Sequence, residues 1–318
     1  MPNWKKLQED SFLERSARER AVGLVDEGSF VELGGPFDRL VSPHLLSLGE
    51  AVENDDGIVT GVGRIGSRPV FVISQEGRFI GGSVGEVGGA KMVGVIDMAI
   101  DFRDRLLAEH PDLPAAQQPL IAISFETGGV RLHEANAGLL AHAEVMDALQ
   151  RARHKVPVVA LIGSRIGCFG GMGFVAAATD CIVMSEFGRL GLTGPEVIEQ
   201  EMGKDEFDAS NRALVYRTTG GRHKFVMGDA NYLVDDTVEA FRAQLTDLCA
   251  LPIEDFETMR RIGSEALVEK QLRGVALAVE IAPTDARDVW RHAGNNDPVG
   301  LADGPLADFR KSVLRLAL

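Results

Sequence analysis

Cysteine is scarce in this chain. The three present, Cys168, Cys181 and Cys249, are widely spaced and odd in number. Such a set argues against a disulfide framework, and the lack of any C-x-x-C pair removes the usual zinc spacing. Long apolar runs are lacking too. The richest stretch, Gly170 to Met184, is broken by Thr179 and Asp180, and nothing approaches the roughly 18 apolar residues of a membrane helix. The opening MPNWKKLQED holds no apolar core of a signal peptide. Positive charge is in deficit: 33 Lys and Arg face 47 Asp and Glu, a formal net charge of -14. A broad nucleic-acid footprint, which needs a basic face, is thereby disfavoured. These absences lead us to expect a cytoplasmic protein with no metal site, no membrane contact and no nucleic-acid partner.

The 318 residues, 45% hydrophobic, suffice for one large domain or two small ones. Ser11-Phe12-Leu13-Glu14 reads as a capping box that opens a helix running to about Asp26, with Gly28 as its C-cap glycine. Residues 34–57, rich in Gly, Pro and acids, read as a surface excursion. Ile58 to Ile65 and Val70 to Ser74 are β-rich runs joined by Gly66-Ser67, the makings of a hairpin. Strand and helix patterns then alternate. Met92 to Leu107 is helical, Leu120 to Phe125 a buried strand, and Ala137 to Arg153 helical again. Val156 to Ile162 is a second buried strand, Phe174 to Ala178 a short helix, and Cys181 to Met184 a third strand. Strands separated by crossover helices predict parallel pairing and an α/β architecture. From Asp236 onward the pattern is mostly helical.

Three glycine clusters follow strand-like segments and precede helices. They are Gly81-Gly82-Ser83-Val84-Gly85-Glu86, Glu126-Thr127-Gly128-Gly129-Val130-Arg131 and Gly167-Cys168-Phe169-Gly170-Gly171-Met172. A glycine pair at such a turn lets bare backbone approach a ligand. Two turns face to face would give one oxygen two N–H donors, the geometry of an oxyanion hole. One pair alone more often serves only a tight turn; three in succession at strand ends point to a site. None fits a phosphate loop or a dinucleotide fingerprint, and no G-x-S-x-G is present.

The segment VPVVALIGSRIGCFGGMGFVAAATDCIVM resembles the strand–turn–helix–strand core of the crotonase superfamily. FIGGSVGEVGGAKM, ETGGVRLHEA and GPEV resemble its carboxyltransferase branch. ETGGVRLHEANAGL, GCFGGM and RLGLTGPEVIEQE are similar to the β subunits of biotin-independent malonate decarboxylases, and GDANYLVDDT resembles their next strand. The likeness spans about Ser11 to Pro252, is strongest from Gly57 to Glu201, and thins in the last sixty or so residues.

The resemblance implies a crotonase-like (ClpP/crotonase) α/β fold of repeated ββα units over residues 1–252, and the helical pattern beyond it predicts a mainly helical extension over 253–318. It implies decarboxylation of malonyl-S-acyl carrier protein to the acetyl form and CO2, a carboxy-lyase reaction through an enolate. Backbone N–H groups at Gly128 or Gly129 and at Gly170 or Gly171 would hold the enolate oxygen; which of each pair donates stays open. Gly81, Gly82, Ser83, Arg131, Cys168, Phe169, Gly194 and Glu196 would line the substrate path. No cofactor is expected on this chain itself; the substrate would ride on the phosphoribosyl-dephospho-CoA prosthetic group of an acyl carrier protein. The expected partners are a second crotonase-like γ subunit, the acyl carrier δ subunit and a carrier transferase α subunit.

Each residue has a plainer reading. Arg131 could hold a phosphate or an interface carboxylate, or be a solvated arginine. His133 could supply a proton but reads first as a helix-surface histidine, and Glu134 as a loop-orienting carboxylate. Cys168 reads as small packing, since the chemistry asks for no nucleophile. Glu196 is balanced between a site acid and a first-turn carboxylate. Arg151, Arg153, His154 and Lys155 form a basic patch, either a solvated helix end or an attraction for an acidic carrier. Two rival functions share the motifs: a carboxyltransferase subunit of a biotin-dependent carboxylase or decarboxylase, and a catalytically silent scaffold.

Overall fold

The computed structural model describes residues 4, 10–35, 38–40, 42–48, 56–260 and 264–317. A seven-stranded sheet runs in chain order: β1 (Val31–Gly34), β2 (Ile58–Ile65), β3 (Arg68–Gln75), β4 (Leu120–Phe125), β5 (Val158–Ile162), β6 (Cys181–Ser185) and β7 (Tyr232–Val234). β1 to β3 pair antiparallel, and β3 to β7 pair parallel. The β2–β3 hairpin closes with Ile65 opposite Arg68 and Gly66 at φ 59°, a left-handed position that suits glycine.

Parallel neighbours need crossovers, and helices supply them. After α1 (Ala17–Gly23) come α2 (Glu86–Glu109), α3 (Asn136–Ala152) and α4 (Gly171–Ala177), one in each gap between β3 and β6. α5 (Pro195–Met202), α6 (Arg212–Thr219) and α7 (Gly221–Val226) lead to β7. Then follow α8 (Val238–Cys249), α9 (Ile253–Met259), α10 (Ser264–Ile281), α11 (Ala286–His292), α12 (Pro298–Asp303) and α13 (Leu306–Ser312).

The period of two along each strand divides the core into two layers. Val158, Ala160 and Ile162 of β5 pack with α2, α3 and α4, and Trp290 and Phe309 join that layer. Val159 and Leu161 pack with Phe12, α1 and α8. Both faces are covered, which is why the central strands read as continuous apolar runs. Beyond the strand ends lie short parallel bridges, Val84 to Val130, Thr127 to Cys168 and Cys168 to Leu190. Each repeat is therefore strand, bridge, helix, the ββα unit of the expected crotonase-like fold.

Three local expectations need correction. The capping box lies at Ser16 and Glu19, not at Ser11 and Glu14. Phe12 is fully buried on Phe241, with ring centroids 3.9 Å apart, and Leu13 N–H donates to Asp236. These long-range contacts hold residues 11–13 out of the helix. Gly28 is not the C-cap; α1 ends at Gly23, and Gly28 turns the chain toward β1. α2 begins at Glu86 rather than Met92, because Gly88 and Gly89 are helical. A Cβ on Gly89 would sit 2.6 Å from the Ala141 side chain of α3, so close helix approach outweighs glycine's poor propensity. Of the segment 34–57, residues 36–37, 41 and 49–55 lie outside the described residues, but Asp56 is buried.

Candidate active site

The bridges bring the glycine turns edge to edge. The first turn leaves β4. Thr127 N–H donates to Gly167 O, Gly128 N–H to Gly81 O at 3.0 Å, and Gly129 N–H to Thr127 Oγ1 at 3.0 Å. The second leaves β5. Cys168 N–H donates to Arg189 O, Phe169 N–H to Thr127 O, and Gly170 N–H to Leu192 O at 2.9 Å. The two turns touch. A Cβ on Gly129 would lie 3.0 Å from Gly170 Cα and 3.4 Å from Gly171 N. The four glycines singled out in the sequence are thus one cluster.

Three of the four N–H groups are already spent, on Gly81 O, Thr127 Oγ1 and Leu192 O. Gly171 N–H, at the first residue of α4, donates to nothing among the described residues, nor does Val130 N–H just past the first turn. Gly170 and Gly171 are half-exposed and Gly128 is exposed. The arrangement leaves two backbone donors free beside a surface that a substrate oxygen can reach. The sequence did not single out Val130, because which amides are spent depends on partners distant along the chain.

Beneath the first turn lies a sealed ion cluster. Arg131 is fully buried; it donates to Asp56 Oδ1 at 2.7 Å, Glu134 Oε1 at 3.1 Å and Ser83 O at 2.7 Å, and it stacks over Phe79. Glu134 Oε2 accepts the Glu86 N–H at 2.7 Å, so it caps α2, whose Gly85 has no side chain to do so. Burial pushes the Asp56 carboxyl up to about 6, against the pull of Arg131. The expected contact of Arg131 with substrate is therefore corrected: its guanidinium faces inward and its donors are taken. Glu134 does orient the loop. A second buried pair, Arg20 with Glu126 at 2.5 Å, holds the start of the ETGG turn to α1.

The other expected residues divide. Gly81 and Gly82 form a left-handed turn at φ 61° and 66°, and Gly82 comes so near Glu126 O that a Cβ would lie 2.0 Å from it. Ser83 Oγ donates to Ile80 O at 2.8 Å. The Cys168 side chain is sealed, with Sγ against Met172 O, and burial drives its thiol pKa strongly upward. The Phe169 ring is buried under Arg189. Both side chains are buried in packing contacts, so a substrate contact by either is corrected to a packing role. Gly194 caps α5 as an extended residue, and Glu196 is exposed on a cavity of about 360 Å³ shared with Arg189, Ser210, Arg212 and Tyr216. His133 is exposed. Much of the basic patch is paired: Arg151 with Asp97 and Asp147, and Lys155 with Asp104, while His154 Nδ1 contacts a Glu257 carboxylate oxygen. Sequence reasoning missed His142, which lies buried against Gly171. No metal-binding cluster occurs among the described residues, and no helix there is long and apolar enough to cross a membrane.

A family model for the carboxyl transferase domain matches residues 14–291. Malonyl-S-ACP:biotin-protein carboxyltransferase MADC of Malonomonas rubra is 62% identical over 316 residues, which cover 99% of each chain. The propionyl-CoA carboxylase beta chain of Saccharopolyspora erythraea is 34% identical over 231 residues, 71% of this chain but only 37% of that longer protein. Among solved structures, a chain of a Pseudomonas malonate decarboxylase hetero-tetramer in complex with malonate superposes at TM-score 0.75 with 34% identity, covering 90% of this chain and 99% of that one. The expected reaction falls on the first of these relatives. A carboxyltransferase with 62% identity along the full length overturns both decarboxylation to free CO2 and the lyase class. The expected independence of biotin has no support beside it. The motifs could not separate the two reactions, because both pass through the same enolate and ask for the same N–H donors.

Proposed function

This chain belongs to the carboxyl transferase domain family, and from that we propose that it moves the carboxyl group of a malonyl thioester onto biotin carried by another protein. The observation that carries this reading is the 62% identity to a malonyl-S-ACP:biotin-protein carboxyltransferase over 99% of both chains. The donor in this reading is malonyl-S-acyl carrier protein, presented on the carrier's prosthetic arm.

The reaction asks one main thing of this chain. When the bond to the carboxyl carbon breaks, its electron pair enters the thioester as an enolate, and charge collects on the thioester oxygen. Donors fixed in place before that charge forms stabilise it without reorganisation. Gly171 N–H and Val130 N–H are the groups available for this. The carboxyl carbon bonds to the acceptor's ureido nitrogen. The proton leaving that nitrogen goes to the enolate carbon, and acetyl thioester remains.

The acceptor needs walls that this chain only half supplies. Leu132, Leu139, Leu140, Phe174 and Leu192 stand exposed on the segments flanking the two turns. Apart from these, α10 carries an exposed stripe, Val268, Leu272, Val275 and Val279, at the spacing of a helix-packing seam. Apolar surface of this extent marks an interface. A second crotonase-like subunit is the occupant this reading assigns to the face over the turns, in keeping with the hetero-oligomeric malonate decarboxylase assemblies. The test is to follow malonyl thioester consumption by the chain together with such a subunit, with and without a biotinyl acceptor protein. Consumption that requires the acceptor supports the reading; equal consumption without it overturns the reading.

A further inference from the structure

The α3 helix touches both turns. A Cβ on Gly138, in its first turn, would lie 2.8 Å from Arg131 O, at the end of the first glycine turn. One helical turn on, His142 faces the second. Its ring is nine-tenths buried, and a Cβ on Gly171 would meet His142 Cδ2 at 2.6 Å and Nε2 at 3.2 Å. His142 Nδ1 lies 2.8 Å from Gly138 O. A carbonyl can only accept, so Nδ1 carries the proton, and Nε2 is the bare nitrogen. Nε2 is buried and has no partner among the described residues. A phenylalanine would fill this space without stranding a nitrogen, so the imidazole brings something a hydrocarbon ring lacks: the Nδ1–H bond that fixes the ring plane. Burial lowers the imidazole pKa from its ordinary value, the Gly138 bond opposing.

We infer that His142 is a positioning residue, a ring anchored through Nδ1 to Gly138 O that forms the floor under Gly171 and aims the Gly171 N–H at the reacting thioester oxygen. This rests on the carboxyl-transfer reading for its chemistry but not for its geometry. It also explains why Gly171 is glycine. Gly171 needs no left-handed backbone, unlike Gly170 and Gly129; the space for its side chain is occupied by His142.

The test is a double-substitution cycle in the complete complex. Gly171→Ala keeps the N–H but drives a methyl into the imidazole, and turnover should fall by roughly 30-fold or more. His142→Ala removes the floor, and kcat should fall about tenfold while KM for the malonyl thioester moves less than about threefold. In the double variant the methyl fills the vacated space, so the losses should fail to multiply by about tenfold or more. His142→Phe keeps the ring and should give no such rescue of Gly171→Ala. His142→Ser replaces the alanine variant if that one folds poorly. Losses that multiply, or a folded His142→Ala enzyme within about threefold of wild type, overturn the proposal. Hydrogen exchange gives a readout independent of activity. The Gly170 and Gly173 amides, bonded to Leu192 O and Gly170 O, should exchange faster in each single variant and return toward wild type in the double. A wild-type complex without carboxyl transfer would refute the proposed function alone, and exchange would still decide the role of His142.

Discussion

A methyl group at Gly170 would be both strained and tight. The residue sits at φ 62° and ψ −142°, and its Cβ would lie 3.1 Å from Gly129 Cα and 3.3 Å from Gly128 O. Gly170→Ala should therefore fold yet push the turns apart, lowering kcat by at least about tenfold; steady-state kinetics on the complex with a circular dichroism control would check it. Cys168 gives the opposite expectation. Its sealed thiol should resist alkylation in the folded chain, and Cys168→Ala should keep turnover within about threefold; titration with a thiol reagent during the assay reads both. Asp56 makes a stability prediction. One guanidinium faces two buried carboxylates, and Asp56 is raised from 3.8 to about 6. The folded chain then holds this proton more tightly than the unfolded one. The associated stability is present at acid pH and is lost as pH rises through about 6, a change of up to about 3 kcal/mol. Asp56→Asn mimics the protonated form, so it should gain on wild type between pH 4 and 7; parallel urea unfolding across that range would show a constant gap if the assignment fails. At this scale the sequence was half legible. Glycine announces itself by type, but burial does not. Arg131 read as a ligand contact until its inward direction was seen, and the spent amides of Gly128 and Gly170 depend on Gly81 and Leu192, far along the chain.

Elements were easier to read than residues where one face or both lie buried. The strand Leu120–Phe125 was legible to the residue because all its side chains are buried and period and composition agree. Boundaries failed where tertiary contact outranked local preference. Phe12 on Phe241 delayed α1, and Gly88 and Gly89 hid the first turns of α2. The second case is testable. Gly89→Ala improves helix propensity by about 1 kcal/mol but meets Ala141 side chain and backbone. If close helix approach is the reason for the glycine, the net effect is destabilisation of about 1–3 kcal/mol. Urea unfolding of the variant would read it, and a more stable protein would show that packing has room.

On the scale of the whole molecule, fold and reaction separate. The repeated strand, glycine turn and helix carried a parallel α/β architecture in the sequence, and the family resemblance supplied its crotonase-like form. The reaction was not legible in the same motifs, since carboxyl transfer and decarboxylation share the enolate and differ in what receives the carboxyl carbon. In the proposed reading that receiver lies off this chain, across the exposed apolar face. Phe174, more than half exposed on α4, should accordingly matter for assembly. Phe174→Glu should leave the fold intact while weakening association with a second crotonase-like subunit by tenfold or more, on the order of an interface anchor; light scattering or sedimentation would measure it. The central claim concerns the fate of one carbon. Malonyl thioester labelled in its free carboxyl, given to the complete complex with a biotinyl acceptor, should yield label bound to the acceptor in an acid-labile form, in step with acetyl thioester. Label released only as CO2, at the same rate with the acceptor present or absent, would contradict the account.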